Sequence, residues 1–214
     1  MMVNKLFWQD PYLDHCDAIV TSVSGNNITV DQTVAYAFSG GQESDMGTIG
    51  GFNIISATKR GLDIIYTLEN HSLKEDDHVE IKIDMKNRHR LMRLHSCGDI
   101  CLQIILKNHP ELNGKRVGAN VSPSKARIDF NMDYNISSLF PEIETELNKI
   151  INQKLPLVTA FEDDEKQIRY WEIAGYPKTR CGGTHVKNTA EIGKIRLKRK
   201  NIGGGKERIE MIIE

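Results

Sequence analysis

The chain has 214 residues, of which 39% are hydrophobic and 27% charged, with a formal net charge of −1. That size suits one large domain or two small ones, and the composition is that of a soluble globular protein. The charge balance excludes a polycation, so contact with nucleic acid has to come from local basic patches.

The opening stretch, Met1 to Asp10, has no long apolar core and no small-residue cleavage site. No signal peptide and no membrane span are expected, and a cytoplasmic location follows. Cys16, Cys97, Cys101 and Cys181 are then expected as thiols or metal ligands and not as a disulfide framework.

Residues 1–86 read as mostly β. Short β-rich runs lie at Ala18–Val23, Asn27–Val30, Asn53–Ala57, Leu62–Leu68 and His78–Ile83, separated by turn signals such as Ser24-Gly25-Asn26-Asn27 and Lys59-Arg60-Gly61. Several short strands at this spacing predict a small barrel or sandwich. Residues 87–214 change character. Arg88–Lys107 has few breakers, places Leu91, Leu94, Gly98, Cys101, Leu102 and Ile105 on one helical face, and is ended by Asn108-His109-Pro110. Ala126–Phe130 reads as a strand. Ser137 or Ser138 is expected to cap a second helix with Ile143, Leu147, Ile150 and Ile151 as its buried stripe. Leu157–Phe161, Arg169–Ile173, Glu191–Leu197 and Arg208–Ile213 read as further strands. The fold class is therefore α+β, with helices packed on a sheet in the second part.

Two short segments carry the chemistry. His95 and Asp99 are i and i+4 on the predicted helix; about 400° of rotation points both side chains the same way, one turn apart. Cys181-Gly-Gly-Thr-His185 offers two further donors with the same spacing of four, on a loop that two glycines make tight. One thiolate, two imidazoles and one carboxylate suffice for a tetrahedral zinc ion. Asp99 is either the fourth ligand or a hydrogen-bonding partner of a ligand imidazole or a metal-bound water.

Cys181-Gly-Gly-Thr-His185-Val-Lys-Asn-Thr-Ala-Glu-Ile-Gly, the His95-x-x-x-Asp99 helix, and the run from Ala35 through Ser39-Gly40-Gly41-Gln42 to Ile49 resemble the alanyl-tRNA editing proteins. These are free-standing relatives of the editing domain of alanyl-tRNA synthetase, often called AlaX, and the length and glycine motif fit their medium-sized class. The resemblance covers nearly the whole chain. It implies an N-terminal β-barrel carrying the glycine motif (1–86) and a zinc-binding α+β editing domain (87–214) like the threonyl and alanyl synthetase second additional domain. It further implies an aminoacyl-tRNA deacylase, not a ligase, that hydrolyses serine, or in some members glycine, wrongly attached to alanine tRNA. Two positions depart from the family pattern: Asp99 stands at the second histidine of His-x-x-x-His, and Ser39 at the first glycine of Gly-Gly-Gly-Gln.

The resemblance assigns one zinc ion per chain to His95, Asp99, Cys181 and His185, which with Gln42 form the expected catalytic set. Ser39, Gly40, Gly41, Gln42, Thr48, Gly182, Gly183 and Thr184 are the expected substrate-binding residues. The Gln42 amide, donor and acceptor at once, is the candidate reader of the serine hydroxyl, with Thr48 second. Arg88, Arg90, Arg93, Lys187, Lys194, Arg196 and Lys198 cluster where RNA phosphates could lie. Two other readings stay open: a tRNA- or partner-binding module altered at Asp99, and a hydrolase of the same fold acting on another aminoacyl-tRNA or ester.

Overall fold

In a computed structural model, which describes residues 2–214, the chain divides into two compact units, Met1–His89 and Arg90–Glu214. The first begins with a two-residue strand β1 (Asn4–Lys5) and one helical turn α1 (Leu6–Gln9). Strands β2 (His15–Ser24), β3 (Asn27–Val30), β4 (Gln32–Thr33), β5 (Gly47–Ile49), β6 (Phe52–Arg60), β7 (Asp63–Leu68) and β8 (His78–Ile83) follow. Six of them pair antiparallel in the order β2-β3-β7-β6-β5-β8, and β8 returns to β2 along His15↔Lys82 through Ile19↔His78, which closes a barrel. Short β1 and β4 pair parallel beside it.

Period-two alternation explains this core. In β7, Ile64, Tyr66 and Leu68 are buried while the residues between them are half-exposed; in β8, Val79, Ile81 and Ile83 are buried between exposed residues. Val20, Ile28, Val30 and Ile49 join them. Side chains two apart share a face of a strand, so these residues line one interior. Gly47 is required at one seam, because a Cβ there would overlap the Lys82 carbonyl oxygen.

Helix α2 (Met85–Asn108) starts earlier than the pattern of apolar residues suggests, because Asp84 Oδ1 accepts the Asn87 N–H at 3.0 Å and caps it. In the second unit it is followed by β9 (Arg116–Val121), β10 (Ala126–Asn131), α3 (Phe140–Asn152), β11 (Val158–Asp163), β12 (Ile168–Glu172), β13 (Thr179–Arg180), β14 (Ile195–Gly203) and β15 (Lys206–Ile213). They form two antiparallel sheets, β14-β15-β10-β9 and β11-β12-β13. Gly98 of α2 lies against β10, where a Cβ would meet the Ala126 Cβ at 3.6 Å. Helix α3 buries Ile143, Leu147 and Ile150.

Two expectations are corrected. Neither Ser137 nor Ser138 caps α3: both sit in a 3-10 turn, Ile136–Leu139, whose cap is the Asn135 side chain accepting the Ser137 N–H. The strand expected at Glu191–Leu197 begins only at Ile195, because Asn188 and Glu191 form a reciprocal capping box that turns Thr189–Ile192 into a 3-10 helix.

Candidate metal centre

Helix α2 presents His95 and Asp99 from successive turns. Cys181 follows β13 directly, seated where its N–H donates to the Arg169 carbonyl of β12 at 2.9 Å. His185 closes the same loop. Sequence positions 86 apart thereby converge: His95 Nε2 lies 3.4 Å from Cys181 Sγ. His185 Nε2 lies 3.3 Å from that sulfur. Asp99 Oδ2 lies 3.8 Å from both His95 Nε2 and His185 Nε2. One donor atom from each of the four falls within 4.8 Å of every other.

These separations test the fit to a metal. Ligand bonds of about 2.0–2.3 Å in a tetrahedron give donor–donor edges of about 3.3–3.8 Å. Four of the six edges, 3.3, 3.4, 3.8 and 3.8 Å, lie within that range.

The electrostatics agree. Burial lowers the His95 pKa, against the pull of Asp99, and lowers that of His185 further, helped by His95 and Arg169. Both imidazoles are held neutral, which is the ligating form. Burial, then the Asp99 charge, pushes the Cys181 thiol up despite a hydrogen bond to the Gly183 backbone. Asp99 Oδ2 is buried with no hydrogen-bond partner among the described residues. A buried acceptor, two neutral imidazoles and a thiol that needs a nearby cation to ionise are together complementary to a divalent metal.

One contributor has no signature in the sequence. Ser96 Oγ accepts the Val186 N–H at 3.2 Å and lies 3.2 Å from His185 Nδ1. That contact occupies Nδ1 and turns Nε2 toward the other donors, the outer-shell role that fixes a ligand imidazole. Thr184 is buried at 2%, and the Trp171 ring packs 6.1 Å from that of His185.

The other expected site residues are distributed as follows. Gly182 is exposed and Gly183 buried beside the donors. Ser39, Gly40, Gly41, Gln42 and Thr48 belong to the first unit. Ser39 and Gln42 exchange backbone hydrogen bonds of 3.3 and 3.0 Å around Gly40 (φ 59°) and Gly41 (φ 90°). This is a two-residue hairpin turn whose positive φ values demand glycine. The Gln42 side chain is fully buried. Thr48 is half-buried in β5.

Arg88 requires a correction. It is fully buried, donates from Nε and Nη2 to the Asp45 carboxylate, and reaches the Pro11 and Val34 carbonyls at 3.0 and 2.7 Å. A side chain so engaged is not available to RNA. Arg90 donates to the Pro123 carbonyl and Arg93 to the Ile192 carbonyl. Lys194 pairs with Glu214 at 2.6 Å. Lys187, Arg196 and Lys198 are exposed. Register adds Arg127 of β10, which the linear sequence does not group with them. Lys198 pairs across Glu210 to Arg127, and Lys200 across Arg208 to Asp129. Directly paired residues share a face, so Lys198, Lys200, Arg127 and Arg208 stand on one side of this sheet.

Residues 168–210 match the family model described as the threonyl and alanyl tRNA synthetase second additional domain. The alanyl-tRNA editing protein AlaX-M of Pyrococcus horikoshii is 34% identical over 216 residues, covering 100% of this chain and 99% of its own. The chain belongs to the AlaX-M family of alanyl-tRNA editing proteins. The AlaX-M protein of Saccharolobus solfataricus is 31% identical, covering 97% of this chain and 98% of its own. An alanine–tRNA ligase of Methanococcus aeolicus aligns at 33% identity with 96% of this chain, but over only 25% of its own length. No helix among the described residues of this AlaX-M family member is long and apolar enough to cross a membrane.

Proposed function

We propose that this AlaX-M family member is a trans-editing hydrolase that removes serine, or glycine, wrongly esterified to alanine tRNA in the cytoplasm. The observation that carries the reading is the four-donor cluster, four of whose six edges span 3.3–3.8 Å and all of which lie within 4.8 Å. Zinc held by His95, Asp99, Cys181 and His185 would polarise the ester carbonyl or a water and act as a template for the aminoacyl end.

The reaction is hydrolysis of a labile ester. A water oxygen bonds to the acyl carbon, the bond from that carbon to the ribose oxygen breaks, and a water proton ends on the ribose. Such a reaction asks mainly for positioning and for stabilisation of the developing oxyanion. The chain's residues meet the first demand by rigidity. Ser96 aims His185, α2 fixes His95 and Asp99 on one face, and the β12–β13 ladder seats Cys181.

Selectivity is assigned to Gln42, with Thr48 second. A site that hydrogen-bonds the serine hydroxyl discriminates against alanine, which lacks it. The turn through Gly40 and Gly41 sets the backbone of Gln42. RNA phosphates are assigned to the exposed Arg196, Lys198 and Lys200, which share one face of β14.

The test is release of serine from serine-charged alanine tRNA by protein of known zinc content, with alanine-charged tRNA as control. Serine release without alanine release, lost together with zinc in Cys181→Ala, supports the reading. An inert zinc-loaded protein rejects this substrate and leaves the binding module or a different ester.

A further inference from the structure

Arg169 of β12 is a buried cation whose side chain takes no part in the four-donor cluster. Its place in the sheet nevertheless sets it beside that cluster. The β12–β13 register, Tyr170↔Arg180 and Trp171↔Thr179, continues by one residue to put Arg169 opposite Cys181, whose N–H donates to the Arg169 carbonyl at 2.9 Å. On its other side Arg169 is paired directly with Phe161 of β11. Opposed residues share a face, so Phe161, Arg169 and Cys181 form one row. Trp171, two residues along β12, stands on the same face, with its ring 6.1 Å from that of His185.

The guanidinium is anchored in this row. Its Nη2 donates to Thr159 Oγ1 at 3.2 Å, and its Cζ lies 5.0 Å from the centre of the Phe161 ring. Burial lowers its pKa to about 10 against the pull of Cys181, so it stays protonated at neutral pH. The influence is mutual: Arg169 favours the Cys181 thiolate and disfavours a charged His185. Burying a cation is costly, and an aliphatic side chain would fill the same strand position without that cost.

Charge balance gives the cation a task. Ligands bind a metal as thiolate, carboxylate and neutral imidazole, so a divalent ion is neutralised by Cys181 and Asp99. An imidazole at position 99 would leave one positive charge. Ester hydrolysis builds negative charge on the acyl oxygen toward the transition state, and a fixed cation near it needs no reorganisation to stabilise that charge. With Asp99 in place the cation has to come from outside the donor set.

We infer that Arg169 supplies the net positive charge of this centre, offsetting Asp99, and that its field stabilises the ester oxyanion as the bond to the ribose breaks. The inference rests on the hydrolase reading for its reaction. Arg169 acts through space, as a charge held beside Cys181 and not as a ligand.

The test compares full-length, zinc-loaded Arg169→Met, Arg169→Gln and Arg169→Lys proteins with wild type. The first keeps the length without the charge, the second keeps a donor for Thr159, and the third keeps the charge. Serine release from serine-charged alanine tRNA gives kcat and KM, chelator competition gives zinc affinity, and thermal unfolding reports the fold. A unit charge about 6–12 Å away at an effective dielectric constant of about 20 is worth about 10–100-fold in rate. Arg169→Met and Arg169→Gln should lose that much in kcat with KM unchanged, the pattern of an interaction made in the transition state. Arg169→Lys should keep most of the rate, and zinc binding should survive in all three. Adding Asp99→His to Arg169→Met returns the missing unit of charge and should recover most of the loss, which a packing defect does not predict. Unchanged kcat in both uncharged variants overturns the assignment and leaves the hydrolase reading standing. So does an equal loss in Arg169→Lys and Arg169→Met with weakened zinc binding and no recovery in the double variant. Zinc-loaded wild type that is inert toward serine-charged tRNA refutes the hydrolase reading and this role with it.

Discussion

Replacing Asp99 by asparagine preserves the shape of the side chain and removes its charge. In the metal-free protein little is lost, because Asp99 Oδ2 has no hydrogen-bond partner among the described residues and stands 3.8 Å from each histidine Nε2. An unpaired buried polar atom costs about 1–3 kcal/mol, so metal-free Asp99→Asn should unfold at the wild-type temperature or above it. With zinc the order reverses. Weakening one donor by about 10–100-fold in metal affinity removes about 1.4–2.7 kcal/mol of ligand-linked stability at equal free zinc. In a chain of this size about 1 kcal/mol moves Tm by about 2–4 °C, so the zinc-induced rise should shrink by about 3–11 °C. Asp99→His should hold zinc as well as wild type or better. The assay is thermal unfolding of chelated and zinc-reconstituted proteins, with zinc affinity read by chelator competition. Identical zinc-induced shifts in wild type and Asp99→Asn, or a metal-free variant destabilised by several kcal/mol, would refute the reasoning and make Asp99 a structural partner of the imidazoles.

Three further outcomes are expected. Arg88→Leu leaves Asp45 as a buried charge without its guanidinium, and urea unfolding should show a loss of about 3–5 kcal/mol; a loss below about 1 kcal/mol contradicts the burial argument. Arg199 donates two hydrogen bonds to Glu207 and holds its carboxyl below the ordinary value of 4.5. A carboxylate depressed in the folded state stabilises above its unfolded pKa and loses that contribution as pH falls through the folded one. Stability should therefore decline below pH 4.5, and less steeply in Glu207→Gln; parallel declines reject the pairing. Arg196→Ala and Lys198→Ala should each lower the slope of log affinity for alanine tRNA against log salt by about 0.7–0.9, whereas Lys194→Ala, paired with Glu214, should change it less; equal slopes in all three argue against phosphate contact at β14.

The halves of the metal centre were legible because each is local. A spacing of four on a breaker-free helix, and two soft donors around two glycines, are visible in short windows. Their meeting is not, because it depends on a β12–β13 ladder that involves only two residues of β13. Strand β9 escaped notice for a related reason: Gly118-Ala119-Asn120 are poor strand formers, and the ladder to β10 holds them there. Arg88 misled because a basic residue among basic neighbours reads as surface charge, while its partner Asp45 lies 43 positions away. Ser96 could not be read at all, since a serine beside a ligand histidine carries no signal until Val186 and His185 are placed around it.

The distance of 86 residues between His95 and Cys181 also has a meaning in time. At about 5–20 residues per second of synthesis, the histidine and aspartate of α2 are made about 4–17 s before the sulfur that joins them. For that interval the nascent chain carries half a centre, with β9, β10 and α3 growing in between. The donors can close on one another only once His185 has been made, so capture of an ion would be a late step of this unit's assembly and would not seed its beginning.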